Sequence, residues 1–82
     1  MKRYLIVVEK TGTGYSAYSP DLDWCVATGK TGDAVEREMQ EAIAFDLEGM
    51  AQSGEPIPAP GTYSAYAEVP AQAQQFSPPR FL

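Results

Sequence analysis

Between Ser19 and Gly32 the chain reads S-P-D-L-D-W-C-V-A-T-G-K-T-G, and the hydropathy pattern changes period across this stretch. Upstream, apolar residues follow the two-residue period of strands; downstream they recur every three to four positions, as on a helix. Pro20 and Asp21 read as a turn and residues 24–28 as a short apolar strand. Gly29 and Gly32 end that strand just before Thr31 or Asp33 caps a helix. A chain with this junction at its centre folds as a sheet carrying its covering helix. The junction also holds the only Trp and the only Cys. Trp24 has two readings, an interface anchor and a core or sheet-edge residue, whereas Cys25 reads as a buried strand residue.

Residues 2–10 are apolar on both faces in their middle, with Tyr4, Ile6 and Val8 on one side and Leu5 and Val7 on the other. This marks a central strand covered on both sides. Thr11-Gly12-Thr13-Gly14 reads as a hairpin turn, and residues 15–19 return antiparallel. Over residues 33–52 a step of about 100° per residue gathers Val35, Met39, Ala42, Ile43, Leu47 and Met50 on one helix face. Asp46 falls near the middle of that face, where a carboxylate needs a basic or backbone partner or a place at the solvent boundary; the boundary is the expectation. Gly54 stops the helix, and Pro56, Pro58 and Pro60 hold the next segment extended. Residues 63–69 alternate as a fourth strand. A right-handed crossover places that strand parallel to the first and gives the order 3-2-1-4.

The expected architecture is therefore α+β, a four-stranded mixed sheet (β-β-β-α-β) with one helix on one face. It occupies residues 1–69, followed by a Pro/Gln-rich tail, 70–82, that is flexible or docked on a neighbour. Because one helix covers one face, Leu5, Val7, Tyr18 and Tyr66 are expected on a second face that contacts other copies, in a dimer or tetramer.

Eighty-two residues make one small domain, in the size range where only about 60% of the unfolded surface is buried. Eleven Asp plus Glu against six Lys plus Arg give a net charge of −5. That balance argues against direct nucleic-acid binding, which displaces counterions through a basic surface, and suits a basic protein partner. With one Cys and no His there is no internal disulfide, no thiolate metal site and no neutral-pH imidazole base. No stretch has the apolar length of a membrane span and no leader-type cleavage segment follows the short apolar run near Met1, so a cytoplasmic protein without membrane association is expected.

Several stretches taken together carry a family resemblance: Y-L-I-V-V-E-K at residues 4–10, G-Y-S-A at 14–17, and P-D-L-x-x-C-V-A-T-G-x-T at 20–31. E-A-I at 41–43, L-E-G-M at 47–50 and G-E-P-I-P-x-P at 54–60 complete the set. In order and spacing they resemble the HicB family of type II antitoxins, whose N-terminal domain is a partial, degenerate ribonuclease-H-like fold. The chain departs from the family at Asp23-Trp24, where a Pro-Gly pair is usual. It also ends at Leu82 where many relatives continue into an operator-binding domain, so direct DNA binding is not expected.

The resemblance implies a non-enzymatic protein that binds and neutralises a small basic RNA-cleaving toxin of the HicA type. The residues themselves also speak against a nuclease: residues 4–8 of the first strand carry no carboxylate, Glu9 lies near its end, and Asp21 and Asp23 belong to a turn. No metal or cofactor is expected. The partner surface is expected to combine the outer sheet face, the turn at residues 20–24 with Asp21, Asp23 and Trp24, and Phe76, Phe81 and Leu82 in the tail. The alternative is a stand-alone oligomeric binding module for a peptide or small ligand, without a toxin.

Overall fold

A computed structural model describes residues 2–71 of the chain. Three strands precede one helix: β1 (Val7–Lys10), β2 (Tyr15–Ser19), β3 (Leu22–Gly29) and α1 (Gly32–Ser53). The strands form one antiparallel sheet in the order β1-β2-β3. The hairpin between β1 and β2 closes through the Thr11 N–H, which donates to the Gly14 carbonyl at 2.8 Å. The Thr11 hydroxyl oxygen accepts from the Gly14 N–H at 3.0 Å.

The turn at Pro20 and Asp21 is followed by an irregularity that decides which side chains reach the core. Tyr18 pairs with Val26, but its neighbour Ser19 pairs with Leu22, so residues 23–25 bulge from the ladder. The bulge lets Leu22 and Cys25 both turn inward, at 0% and 1% exposure, despite their odd separation, while Asp23 and Trp24 face outward.

Thr31 is the cap of α1. Its backbone is extended and its side-chain oxygen accepts from the Ala34 N–H at 3.1 Å. The helix ends at Gly54, whose φ of 74° places it in the left-handed region that glycine enters without strain. There the Gly54 N–H donates to the Ala51 carbonyl and the Glu55 N–H to the Met50 carbonyl, satisfying the last turn.

Ala17, Leu22, Cys25, Val35 and Met39 form the core, bordered by Tyr4, Ile6, Val8, Tyr15, Ala27, Ile43 and Leu47. Full burial of a residue such as Leu22, Val35 or Met39 contributes about 1.5–3 kcal/mol each. Gly29 lets the start of α1 approach the sheet: a Cβ there would lie 2.8 Å from the Val35 nitrogen. Ser19, fully buried, donates its hydroxyl to the Leu5 carbonyl at 2.8 Å and ties the segment before β1 to the end of β2.

Three expectations are corrected. The sheet has three strands, not four, and all pairs are antiparallel, so neither the mixed sheet nor the order 3-2-1-4 is found among the described residues. The first strand enters the ladder only at Val7 and lies at an edge of the sheet, not at its centre. The third begins at Leu22, two residues earlier than the apolar run suggested.

Residues 63–69 remain outside the ladder for a local reason. Pro56, Pro58 and Pro60 supply no N–H along the approach, and the next donors, Gly61 and Thr62, give theirs to Asp21. The Tyr4 hydroxyl donates to the Pro58 carbonyl and fixes the same stretch from the other side. Beyond it Tyr63, Tyr66 and Val69 are 85%, 97% and 59% exposed.

Candidate partner interface

Alternate residues of a strand face opposite sides of the sheet, and α1 covers the side that carries Val8, Ala17 and Ala27. On the uncovered side the register brings Val7 beside Tyr18 and Tyr18 beside Val26. Leu5 continues the phase of Val7 and is, like it, half-buried. Tyr18 and Val26 are 41% and 66% exposed, and Trp24, in phase with Val26, is 48% exposed. The result is an aromatic and aliphatic strip across all three strands, with the charged Asp23 next to Trp24.

The helix presents a different surface. It holds Asp33, Glu36, Glu38, Glu41, Asp46 and Glu48 against Arg37, a surplus of five negative charges that equals the net charge of the whole chain. Glu38, Glu41, Phe45 and Glu48 recur at helical spacing and are all exposed, Phe45 by 76%. The negative charge is thus concentrated on α1, while the uncharged strip lies on the opposite side of the sheet.

Asp21 has an internal role. Its Oδ2 accepts from the Gly61 N–H at 3.1 Å and the Thr62 N–H at 3.2 Å, and its Oδ1 accepts from the Thr62 hydroxyl at 2.9 Å. The Gly61 N–H and the Thr62 hydroxyl are the main causes that hold its carboxyl below the ordinary value of 3.8. Both carboxylate oxygens are therefore engaged within the chain. Asp23 and Trp24, by contrast, are open to solvent.

Leu5, Val7 and Tyr18 share the uncovered face, whereas Tyr66 lies outside the sheet and is 97% exposed. Phe76, Phe81 and Leu82 lie outside the described residues. Val26 and Phe45 were missed. Val26 is signalled by its phase with Trp24, and Phe45 by being an aromatic residue among the glutamates of the helix's polar side.

The Cys25 thiol donates to Asp46 Oδ2 at 3.0 Å. Burial first, then this hydrogen bond and the charge of Asp46, push the thiol up to about 12 from 9.0. Cys25 is thus protonated at neutral pH and is no nucleophile there. Asp46 is half-buried, at the solvent boundary expected for it, and its partner is the thiol in place of a basic or backbone group. Among the described residues no three His, Cys, Asp or Glu side chains converge on a point that would hold a metal ion. No helix among them is long and apolar enough to cross a membrane.

Comparison with known proteins places these features. A solved HicA3 and HicB3 toxin-antitoxin complex contains a chain that superposes with a TM-score of 0.62 at 33% identity, over 73% of this chain and 70% of that one. An uncharacterized 14.9 kDa protein from the rep-hol intergenic region of Haemophilus phage HP1 (strain HP1c1) is 33% identical over 67 residues, 82% of this chain. The chain spans about half the length of that curated relative, 50%. Residues 4–76 match the family described as HicB_like antitoxin of bacterial toxin-antitoxin system. The match runs from the flank of β1 through the whole sheet and helix, and the chain belongs to the HicB-like antitoxin family of bacterial toxin-antitoxin systems.

Proposed function

We propose that the protein is the antitoxin of a toxin-antitoxin pair and acts by binding, without catalysis, in the cytoplasm. Its partner is a small basic RNA-cleaving toxin of the HicA type, which it silences by occupying the surface that RNA would use. The observation that carries this reading is the likeness, at 33% identity and a TM-score of 0.62, to a chain of a toxin-antitoxin complex. The charge distribution supports it, since an acidic helix attracts a basic protein and speeds the encounter. The strip of Tyr18, Trp24 and Val26 supplies the aromatic and aliphatic contacts that dominate the energy of protein interfaces. Asp23, beside Trp24, adds a negative charge at the rim.

The reading is tested by co-purifying the protein with the product of the adjacent reading frame and assaying RNA cleavage by that product with and without it. A stable complex that abolishes cleavage is expected. Cleavage that continues unchanged would reject the antitoxin assignment and favour a stand-alone binding module.

A further inference from the structure

Residues 62–69 form an arm outside the sheet whose sequence is that of a strand. Tyr63, Ala65, Ala67 and Val69 alternate with Ser64, Tyr66 and Glu68, yet none enters a ladder and the three large apolar side chains stand in solvent. The same molecule has the converse deficiency. β1 pairs on one side only, and residues 2–6 before it run on with no ladder partner among the described residues. An unpaired strand and an unpaired edge of similar length are complementary, because each leaves backbone donors and acceptors that the other can satisfy.

Among the described residues the arm does not pair with its own β1. Pro58 and Pro60 have no N–H, and the donors of Gly61 and Thr62 are held by Asp21. A groove of about 440 Å³ separates residues 62–64 from residues 3–6 of the same chain. The root is nevertheless beside that edge, so the arm leaves the domain next to the place where an incoming strand would dock. We propose that residues 62–69 of one copy add as a strand to the free edge of β1 and its flank in a second copy, and that the exchange is reciprocal.

Three features select this occupant and this edge. Eight residues in extended conformation reach about 26 Å, enough to run along residues 2–10 of a partner. Charge distinguishes the two edges of the sheet: Lys2, Arg3 and Lys10 outweigh Glu9 on β1 and its flank, whereas β3 carries Asp23 alone. The only charged residue of the arm is Glu68, which the β1 edge attracts and Asp23 repels. Finally, because root and receiving edge adjoin in one copy, a two-fold axis near that point returns the partner's arm to the first copy, and the assembly closes at two. Tyr66 then joins Leu5, Val7 and Tyr18 on the uncovered face, an arrangement that goes beyond the antitoxin reading and does not depend on it.

The experiment uses the full chain. Sedimentation at micromolar concentration is expected to give twice the mass of one chain. In an equal mixture of isotope-labelled and unlabelled protein, filtered proton contacts are expected between the arm of one chain and residues 2–10 of the other. Neighbouring N–H groups of a strand point to opposite edges, so of Ala65→Pro and Tyr66→Pro at least one removes a donor aimed at the partner. That variant is expected to lose the dimer while keeping its helical circular dichroism. A monomeric parent, contacts confined to one chain, or a dimer indifferent to both prolines overturns the exchange. Toxin silencing is scored separately, and a monomer that still silences would overturn the exchange alone.

Discussion

Two stretches of eight residues, β3 and residues 62–69, each carry several apolar side chains, and their surroundings differ completely. β3 lies under α1 and buries Leu22 and Cys25 to within 1% of full enclosure. Among the described residues no layer covers the arm, and Tyr66 is 97% exposed. Apolar side chains state what a segment can bury; the layer packed over it determines what is buried. The largest test of this contrast compares truncations in the two stretches. Leu22→Ala is expected to destabilise the domain by about 2–5 kcal/mol, since it removes buried methyl groups and leaves a cavity. Tyr66→Ala, which touches no core residue, should stay within about 0.5 kcal/mol in the stability of a single domain. Chemical denaturation of both variants at low protein concentration, where the chains are separate, checks the difference.

The contact between β3 and α1 can be challenged from the backbone side as well. Gly29→Ala would place a methyl group 2.8 Å from the Val35 nitrogen and 3.0 Å from its Cα, atoms of the backbone that cannot rotate away. Separation of the helix start from the sheet is expected to cost about 1–3 kcal/mol, the range for overpacked interiors. Thermal unfolding should show this loss, whereas Gly12→Ala, with open space around the new methyl, should show little.

Further along the same seam, the thiol of Cys25 and the carboxylate of Asp46 make stability depend on alkaline pH. The unfolded thiol loses its proton near 9.0 and the folded one holds it to about 12. The protonated thiol thus favours the fold fully below pH 9, and this contribution is lost as pH rises towards 12. The stability advantage of the parent over Cys25→Ala should accordingly shrink across that window. A constant difference between pH 8 and pH 11 would remove the pair as its source.

The seam was legible in the sequence because its signals are local and agree with one another. The change of period at Gly29, the cap at Thr31 and the apolar stripe from Val35 to Met50 all point to a helix laid on a sheet. The bulge at residues 23–25 was not legible. It arises because Leu22 and Cys25 both gain by burial, a preference of the assembled core that no two-residue period expresses. The fourth strand was overread for the complementary reason: its period was correct, but the prolines before it and the carboxylate of Asp21 act on the backbone donors, which hydropathy does not report. Trp24 and Asp23, singled out from their residue types, are exposed, as is Tyr18 on the uncovered face. Asp21 looked like a surface acid because its partners, Gly61 and Thr62, lie 40 and 41 positions away.

Asp21 offers the smallest expected effect and the closest view of how the two regions are joined. It connects the turn before β3 to the root of the arm through three hydrogen bonds, and the backbone bond from Gly61 is the foremost cause of its lowered pKa. A carboxyl held below its ordinary value stabilises the attached state above pH 3.8, and that contribution is lost as pH falls through the folded value. The group is near solvent, so the core should hardly notice its removal. Asp21→Asn keeps one carbonyl acceptor and loses the charge, and the unfolding midpoint is expected to move little. Protection of the Gly61 and Thr62 amides, taken relative to their intrinsic exchange rates, should fall, and acidification of the parent below pH 3.8 should lower it likewise while Val35 and Met39 stay protected. If the two amides instead exchange together with the core in both parent and variant, the arm's root belongs to the same cooperative unit as β3 and α1, and the contrast between the regions begins only beyond Thr62.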